Sequence, residues 1–184
     1  IFSKQLFDLG RPDEIPAVPK YIQEWESPFR KSQGEEDEAA RNEPYPLQAI
    51  GHHSLQRVHS THDNNDWLEE AFPQRVFINP LDAATRDIKD GDAVKVHNER
   101  GALVLPCRLT ARIMPGVVDI PQGAWYAPDQ EGVDHGGNVN VLTSSRWTPF
   151  AFGSAQHTIM VQVERCTSKV KGRRLNADLS TFDR

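Results

Sequence analysis

The stretch DGDAVKVHNERGALVLPCRL, residues 90–109, constrains the fold more than any other part of the chain. Val94 and Val96 alternate with Lys95 and His97, so the apolar side chains fall on one face of an extended strand. A helix would scatter the same residues around its circumference, because its side chains repeat about every 3.6 residues. Asn98 to Gly101 then reverse the chain, and Leu103 to Leu109 return. Two extended runs joined by a tight polar reversal form a β-hairpin. Asp90-Gly91 opens it with a turn. The glycines at 91, 101 and 116 are turn glycines, and Asp82 and Asp92 fall at helix and turn positions.

Shorter signals of the same kind surround the hairpin. Leu47–Ile50 form a short buried strand, RVFI (75–78) a second, and TIMVQVE (158–164) a final alternating one. MPGVVDI has Pro115-Gly116 at the centre of a type II turn, followed by a strand. Two short helices are expected. One spans 63–72, with an Asp or Asn as N-cap and Trp67, Leu68 and Ala71 on one side, placing Trp67 in the core. The other starts at Asn79 as N-cap with Pro80 at the first helical position, where its missing N–H costs nothing. Cys107 is expected to be an inert buried thiol. No internal repeat is visible, and the class is mainly β.

Two long polar stretches interrupt this pattern, 52–65 and 122–153. The second carries Trp125, Tyr126, Trp147 and Phe150, too aromatic for a disordered linker. Trp125 and Trp147 are read as packing residues, with the wall of a substrate funnel as the alternative. Residues 1–45 read as an extended approach segment ending in an acidic loop, GEEDEAARNE (34–43), with 46–165 as the folded domain. Residues 166–184 form a basic tail.

Composition narrows the functions. The net charge of −5 gives no reason to expect nucleic acid as a partner. The two cysteines form no C-x-x-C pattern, so zinc-ribbon and iron–sulfur motifs are absent from this segment. No run approaches about 20 apolar residues, so no membrane span is expected here. No signal peptide is visible. The chain opens without methionine and is read as a piece of a longer polypeptide.

GHHSLQRVHSTHDN, residues 51–64, carries four of the seven histidines. Imidazole is a common metal ligand, but a helical H-x-x-x-H or H-E-x-x-H spacing is missing. Its other residues point to an anionic, heteroaromatic ligand. Gly51 lets backbone approach closely. Arg57 has a planar fork suited to phosphate. His59, Ser60 and Thr61 add donors just before a helix start, where backbone N–H groups favour anions. On the residues alone a metal site, solvated histidines and an anion site all stay open.

The blocks IGHHSLQRVHSTHDNNDWLEE, VFINPLDAATRDIKDGDAVKVHNERGALVLPCRLTARIMPGVV and GAWYAPD…DHGGNVNVLTSSRWTPFAFGSAQHTIMVQVE decide further. Over roughly residues 45 to 165, in this order, they resemble the C-terminal domain of molybdopterin oxidoreductases. Among these they are most similar to the anaerobic dimethyl sulfoxide reductase catalytic subunits and their selenate-reductase-like relatives. The resemblance implies a six-stranded double-psi β-barrel capping a molybdenum bis(molybdopterin guanine dinucleotide) cofactor. Position by position it implies that Gly51, His52, Arg57, His59, Ser60 and Thr61 form a first cofactor loop, His52 at its edge. Asn138, Asn140 and Thr143 would form a late loop reaching a pterin, and Gln156 and His157 a further polar contact. It places the iron–sulfur cluster and the protein ligand to molybdenum in earlier domains. It implies as partners the rest of the same catalytic subunit, an iron–sulfur electron-transfer subunit and a membrane-anchor subunit. It also implies a peripheral place on the periplasmic face of a bacterial inner membrane. The fragment alone is expected to be inactive. A non-catalytic double-psi barrel used as a binding module, and a histidine-ligated metal-binding domain, are the competing readings.

Overall fold

The computed structural model describes residues 18–19, 21–22, 24–28, 44–148, 152–154 and 156–167. The acidic loop at 34–43, Phe150 and the basic tail beyond residue 167 lie outside the described residues.

Six strands close into a barrel. They are β1 (Leu47–Ile50), β2 (Val76–Ile78), β3 (Ala93–His97), β4 (Ala102–Leu109), β5 (Val117–Asp119) and β6 (Ile159–Arg165). The order around the barrel is β1-β5-β2-β4-β3-β6. β1 pairs with β5, and β2 with β4, in parallel; every other neighbour is antiparallel. Exchanging the first three strands for the last three maps this order and these pairings onto themselves. The barrel therefore carries a pseudo-two-fold symmetry, as a double-psi barrel does, although the sequence shows no repeat.

Alternation places the core. Val94 and Val96 point inward with no exposed surface, as do Ala49, Val76, Ile78, Leu103, Val118 and Val161. At about 25 cal/mol per Å² of apolar surface buried, these apolar side chains are the main stabilising term. The hairpin lies where its alternation predicts it, with Val94 opposite Leu105 and Val96 opposite Leu103. Its turn is locked by Asn98, whose side-chain oxygen accepts from the Arg100 amide at 3.0 Å. The Pro115-Gly116 turn also forms, with Gly116 at φ +84° and the Val117 amide bonded to the Met114 carbonyl.

Among the described residues, two short helices flank the barrel, α1 (Asp66–Ala71) and α2 (Pro80–Ala84). Both N-caps are asparagines. Asn65 accepts from the amides of Trp67 and Leu68, and Asn79 from that of Leu81. Helix α1 differs from expectation, because it buries no residue and Trp67 is 83% exposed. Six residues make under two turns. The helix rides on the first loop rather than on a barrel strand, so its apolar side finds no core to enter.

The registers also fix the two ends of the barrel. Ile50 lies opposite Asp119, Phe77 opposite Asp119, His97 opposite Ala102, and Ala49 opposite Ile159. The ends of β1, β3 and β5 and the starts of β2, β4 and β6 therefore share one end. Both long loops, 51–65 and 120–158, emerge there. The α2 segment and the 110–116 turn close the opposite end.

Candidate functional site

The first loop starts where β1 ends. Gly51 leaves no room for a side chain, since a Cβ there would lie 2.8 Å from Gln122 Cγ. Its carbonyl accepts from Gln122 Nε2 at 2.8 Å, and its amide points at His157 Nδ1 at 3.5 Å. His52 is fastened to the buried Asp119 twice, through its amide at 3.2 Å and its Nδ1 at 2.5 Å. His53 and His59 meet edge to face with centroids 5.5 Å apart. Among the described residues no group of three or more His, Cys, Asp or Glu is arranged to hold a metal.

Arg57 is buried, and its fork is engaged within the protein. Nη1 donates to Gln74 Oε1 and Nη2 pairs with Asp63 Oδ1, both at 2.8 Å. Burial lowers the guanidinium's pKa from its ordinary value, and the charge of Glu69 opposes that shift. Burial also raises the Glu69 carboxyl, with Arg57 pulling it back. Beyond Arg57, Val58 and Thr61 bond to each other through their backbones and put His59 and Ser60 at an exposed tip. His59 holds φ +53° and His62 φ +75°, a left-handed conformation that non-glycine residues seldom adopt. At the helix start that follows, the Asn65 side chain accepts from the amides of Trp67 and Leu68.

The late loop is organised around Asp134, which has no exposed surface. Its Oδ1 accepts from the amides of Ala127 and Gly136, and its Oδ2 from those of Gly137 and Asn138, at 2.6–2.9 Å. Four donors satisfy a carboxylate that burial would otherwise penalise heavily. Asn138 then caps a 3-10 turn (Val139–Val141) by accepting from the Asn140 amide. Thr143 Oγ1 donates to the Asn140 carbonyl at 3.0 Å, and the Asn140 side chain stays exposed. The hairpin tip braces this loop, with Asn98 Nδ2 and Arg100 Nε donating to the Leu142 carbonyl. Gln156 donates to Ser154 Oγ, and the His157 carbonyl accepts from Gln48.

The two loops touch. Gln74 Nε2 donates to the carbonyls of Pro121 at 2.7 Å and Gly137 at 3.2 Å, while its oxygen holds Arg57. Asp63 Oδ2 accepts from the Trp125 amide, and Trp125 Nε1 donates to the Ser60 carbonyl, both at 2.8 Å. Trp125, still 46% exposed, therefore serves as a polar link as well as a packing residue. Trp147 is 59% exposed and meets Phe152 edge to face.

All the residues expected at the site thus lie on loops at one barrel end. They do not all line one cavity. A cleft of about 470 Å³ beside the first loop is lined by His52, Ser54, Phe72, Arg75, Phe77 and Arg108 among others, and by none of Asn138, Asn140 or Thr143. Sequence reasoning missed Gln74, Asp63, Asp119 and Asp134. For Asp134 a signal existed, an Asp ahead of Gly136 and Gly137, the composition of a side-chain-supported turn. Gln74 had none, because its partners lie far away in sequence.

Comparison with known proteins gives the family. The family model described as "Molydopterin dinucleotide binding domain" matches residues 47–160. The chain belongs to that family. The domain is 50% identical over 123 residues to the Dimethyl sulfoxide reductase DmsA of Haemophilus influenzae, covering 67% of this chain and 15% of that protein. It is 42% identical over 171 residues to its namesake from Escherichia coli K12, covering 90% of this chain and 20% of that protein. With a Dimethyl sulfoxide/trimethylamine N-oxide reductase of Cereibacter sphaeroides the identity is 34%, over 90% of this chain and 20% of that protein. The chain therefore spans about a fifth or less of the length of these relatives. Among solved structures, the acetylene hydratase from Pelobacter acetylenicus superposes with a TM-score of 0.59 at 20% identity, over 70% of this chain and 19% of that one. That likeness shows the fold.

Proposed function

We propose that this molybdopterin dinucleotide-binding domain is the C-terminal part of an anaerobic molybdenum reductase. Its parent would remove oxygen from an S-oxide, an N-oxide or an oxyanion. The observation that carries the reading is the emergence of both polar loops from one barrel end. The names of its relatives, dimethyl sulfoxide and trimethylamine N-oxide reductases, supply the reaction class.

The donor set fits a bis(molybdopterin guanine dinucleotide). A pterin edge mixes N–H donors with ring acceptors, and burying any of them unpaired costs about 1–3 kcal/mol. Exposed His59, Ser60, Thr61, Asn140 and His157 present side chains that donate and accept, with Gln156 half-buried beside them. Gly51 keeps the entry to the first loop free of a side chain. Arg57, Asn138 and Thr143 are engaged internally and hold the backbone on which the others sit. His52, fixed by Asp119, stands at the edge. When bound, the molybdenum centre supplies the two-electron redox chemistry, while the protein binds and orients it. In the same reading an iron–sulfur cluster lies in the earlier part of the parent. An electron-transfer subunit and a membrane-anchor subunit complete the assembly on the periplasmic face of the inner membrane.

The test is to purify the full-length polypeptide from anaerobic cells and assay molybdenum, guanine nucleotide and iron. Reduction of dimethyl sulfoxide, trimethylamine N-oxide and selenate by a reduced viologen is then measured. Molybdenum with guanine nucleotide and turnover of at least one oxide is the expected result. A polypeptide holding no molybdopterin overturns the reading. Iron content tests the cluster, and fractionation with and without the companion subunits tests the location.

A further inference from the structure

The geometry points to Gln74 as a positioning residue that makes the two loops move as one body. This rests on the cofactor reading above, and it adds a residue outside the sets that reading contains. Gln74 is 7% exposed and lies just before β2, on neither loop. Its side-chain amide serves three separate segments. The oxygen holds Arg57 of the first loop, and the nitrogen holds Pro121 after β5 and Gly137 of the late loop. An amide suits this place because it donates and accepts at once; a carboxylate would set oxygen against two carbonyls, and an ammonium would repel Arg57.

The links close into a circuit. From Gln74 it runs through Arg57 to Asp63, and from Asp63 Oδ2 to the Trp125 amide. Gly136 lies so close to Trp125 that a Cβ on it would come within 1.9 Å of the Trp125 carbonyl. Gly136 and Gly137 both donate to Asp134, and Gly137 returns to Gln74. A second strut runs outside, from Trp125 Nε1 to the Ser60 carbonyl. Gly123 seals the contact, with room for no side chain against the His59 carbonyl. The spacing between Ser60–Thr61 and Asn138–Asn140 is thus set by one buried amide and its neighbours. A ligand gripping both segments meets a preset gap rather than two independent loops.

The experiment compares wild type, Gln74→Ala and Trp125→Phe in the full-length polypeptide. Two quantities are read: regional amide hydrogen exchange, and the rate at which pterin is lost on dilution. Gln74→Ala is expected to speed exchange roughly tenfold in both 57–63 and 134–140, leaving the β3–β4 hairpin unchanged, and to speed pterin loss by a similar factor. Trp125→Phe, which keeps an aromatic ring and deletes the outer strut, is expected to act on both loops about threefold. Because Gln74 touches both segments, a merely local structural role could speed exchange in both, but it would leave the rate of pterin loss at the wild-type value. Exchange confined to one loop, or pterin loss at the wild-type rate in both variants, overturns the inference. If Gln74→Ala does not fold, Trp125→Phe decides alone, because half-exposed Trp125 is outside the core. A wild type without pterin counts against the proposed function, while the exchange pattern still decides the coupling.

Discussion

Burying Arg57 and Asp63 side by side takes two charges out of water, and their contact at 2.8 Å, with the bonds to Gln74 and the Trp125 amide, offsets that cost. Removing one partner leaves the other buried without its countercharge. Arg57→Ala is therefore expected to destabilise the domain by about 3–5 kcal/mol. Urea unfolding of the variant measures this, and a loss under 1 kcal/mol would mean that the pair is hydrated in solution. Cys107 illustrates the opposite case, a polar group made inert. Burial pushes its thiol pKa above the ordinary value, and Sγ sits 3.1 Å from the Lys89 carbonyl. Only the thiolate is a nucleophile, so an alkylating reagent at pH 8 should leave Cys107 intact in the folded chain and modify it on unfolding. Mass spectrometry of the alkylated peptides reads the result.

Among the elements, the turns carry more of the chemistry than the helices. The 129–134 turn is held by Asp129, whose Oδ1 accepts from the amides of Glu131 and Val133 and whose Oδ2 meets His135 Nε2 at 3.1 Å. The hydrogen bond from His135 is the main reason its pKa falls below the ordinary carboxylate value, and the two amides add to it. A depressed folded-state pKa stabilises the fold at any pH above the unfolded value, about 3.9 for Asp. That contribution is lost as pH falls from there through the folded value. The melting temperature of wild type should therefore converge on that of Asp129→Asn below this window. Curves that stay parallel down to pH 2 would deny Asp129 the role. Element boundaries followed local chemistry closely where a cap or turn residue marked them. Asn79-Pro80 starts α2, and Gly116 at positive φ makes the turn before β5. Helix α1 was legible as a helix from Asn65 and the acidic residues after it. Its exposure was not, because an apolar stripe does not say whether a partner faces it.

For the molecule as a whole, apolar groups exposed on the first loop and on or just after α1, Leu55, Val58, Trp67 and Phe72, contrast with a dry barrel interior. None of them supports the barrel. Trp67→Gln should change the domain's stability by no more than about 0.5 kcal/mol, a loss of 2 kcal/mol placing the indole in a core after all. By itself the sequence determined the mainly β class, the hairpin, the Asn79 N-cap, the Pro115-Gly116 turn and the family. Each of these rests on neighbours in the chain or on a sustained motif. Beyond the double-psi barrel that the resemblance implied, the tertiary structure decided the registers between strands, the contacts between the two loops and the burial of Arg57. It alone gave Gln74, Asp63 and Asp134 their partners. Local periodicity encodes which face of a strand is apolar, but strand order and loop contacts depend on residues tens of positions apart. Closing the barrel brings those residues together, and no local pattern records the meeting.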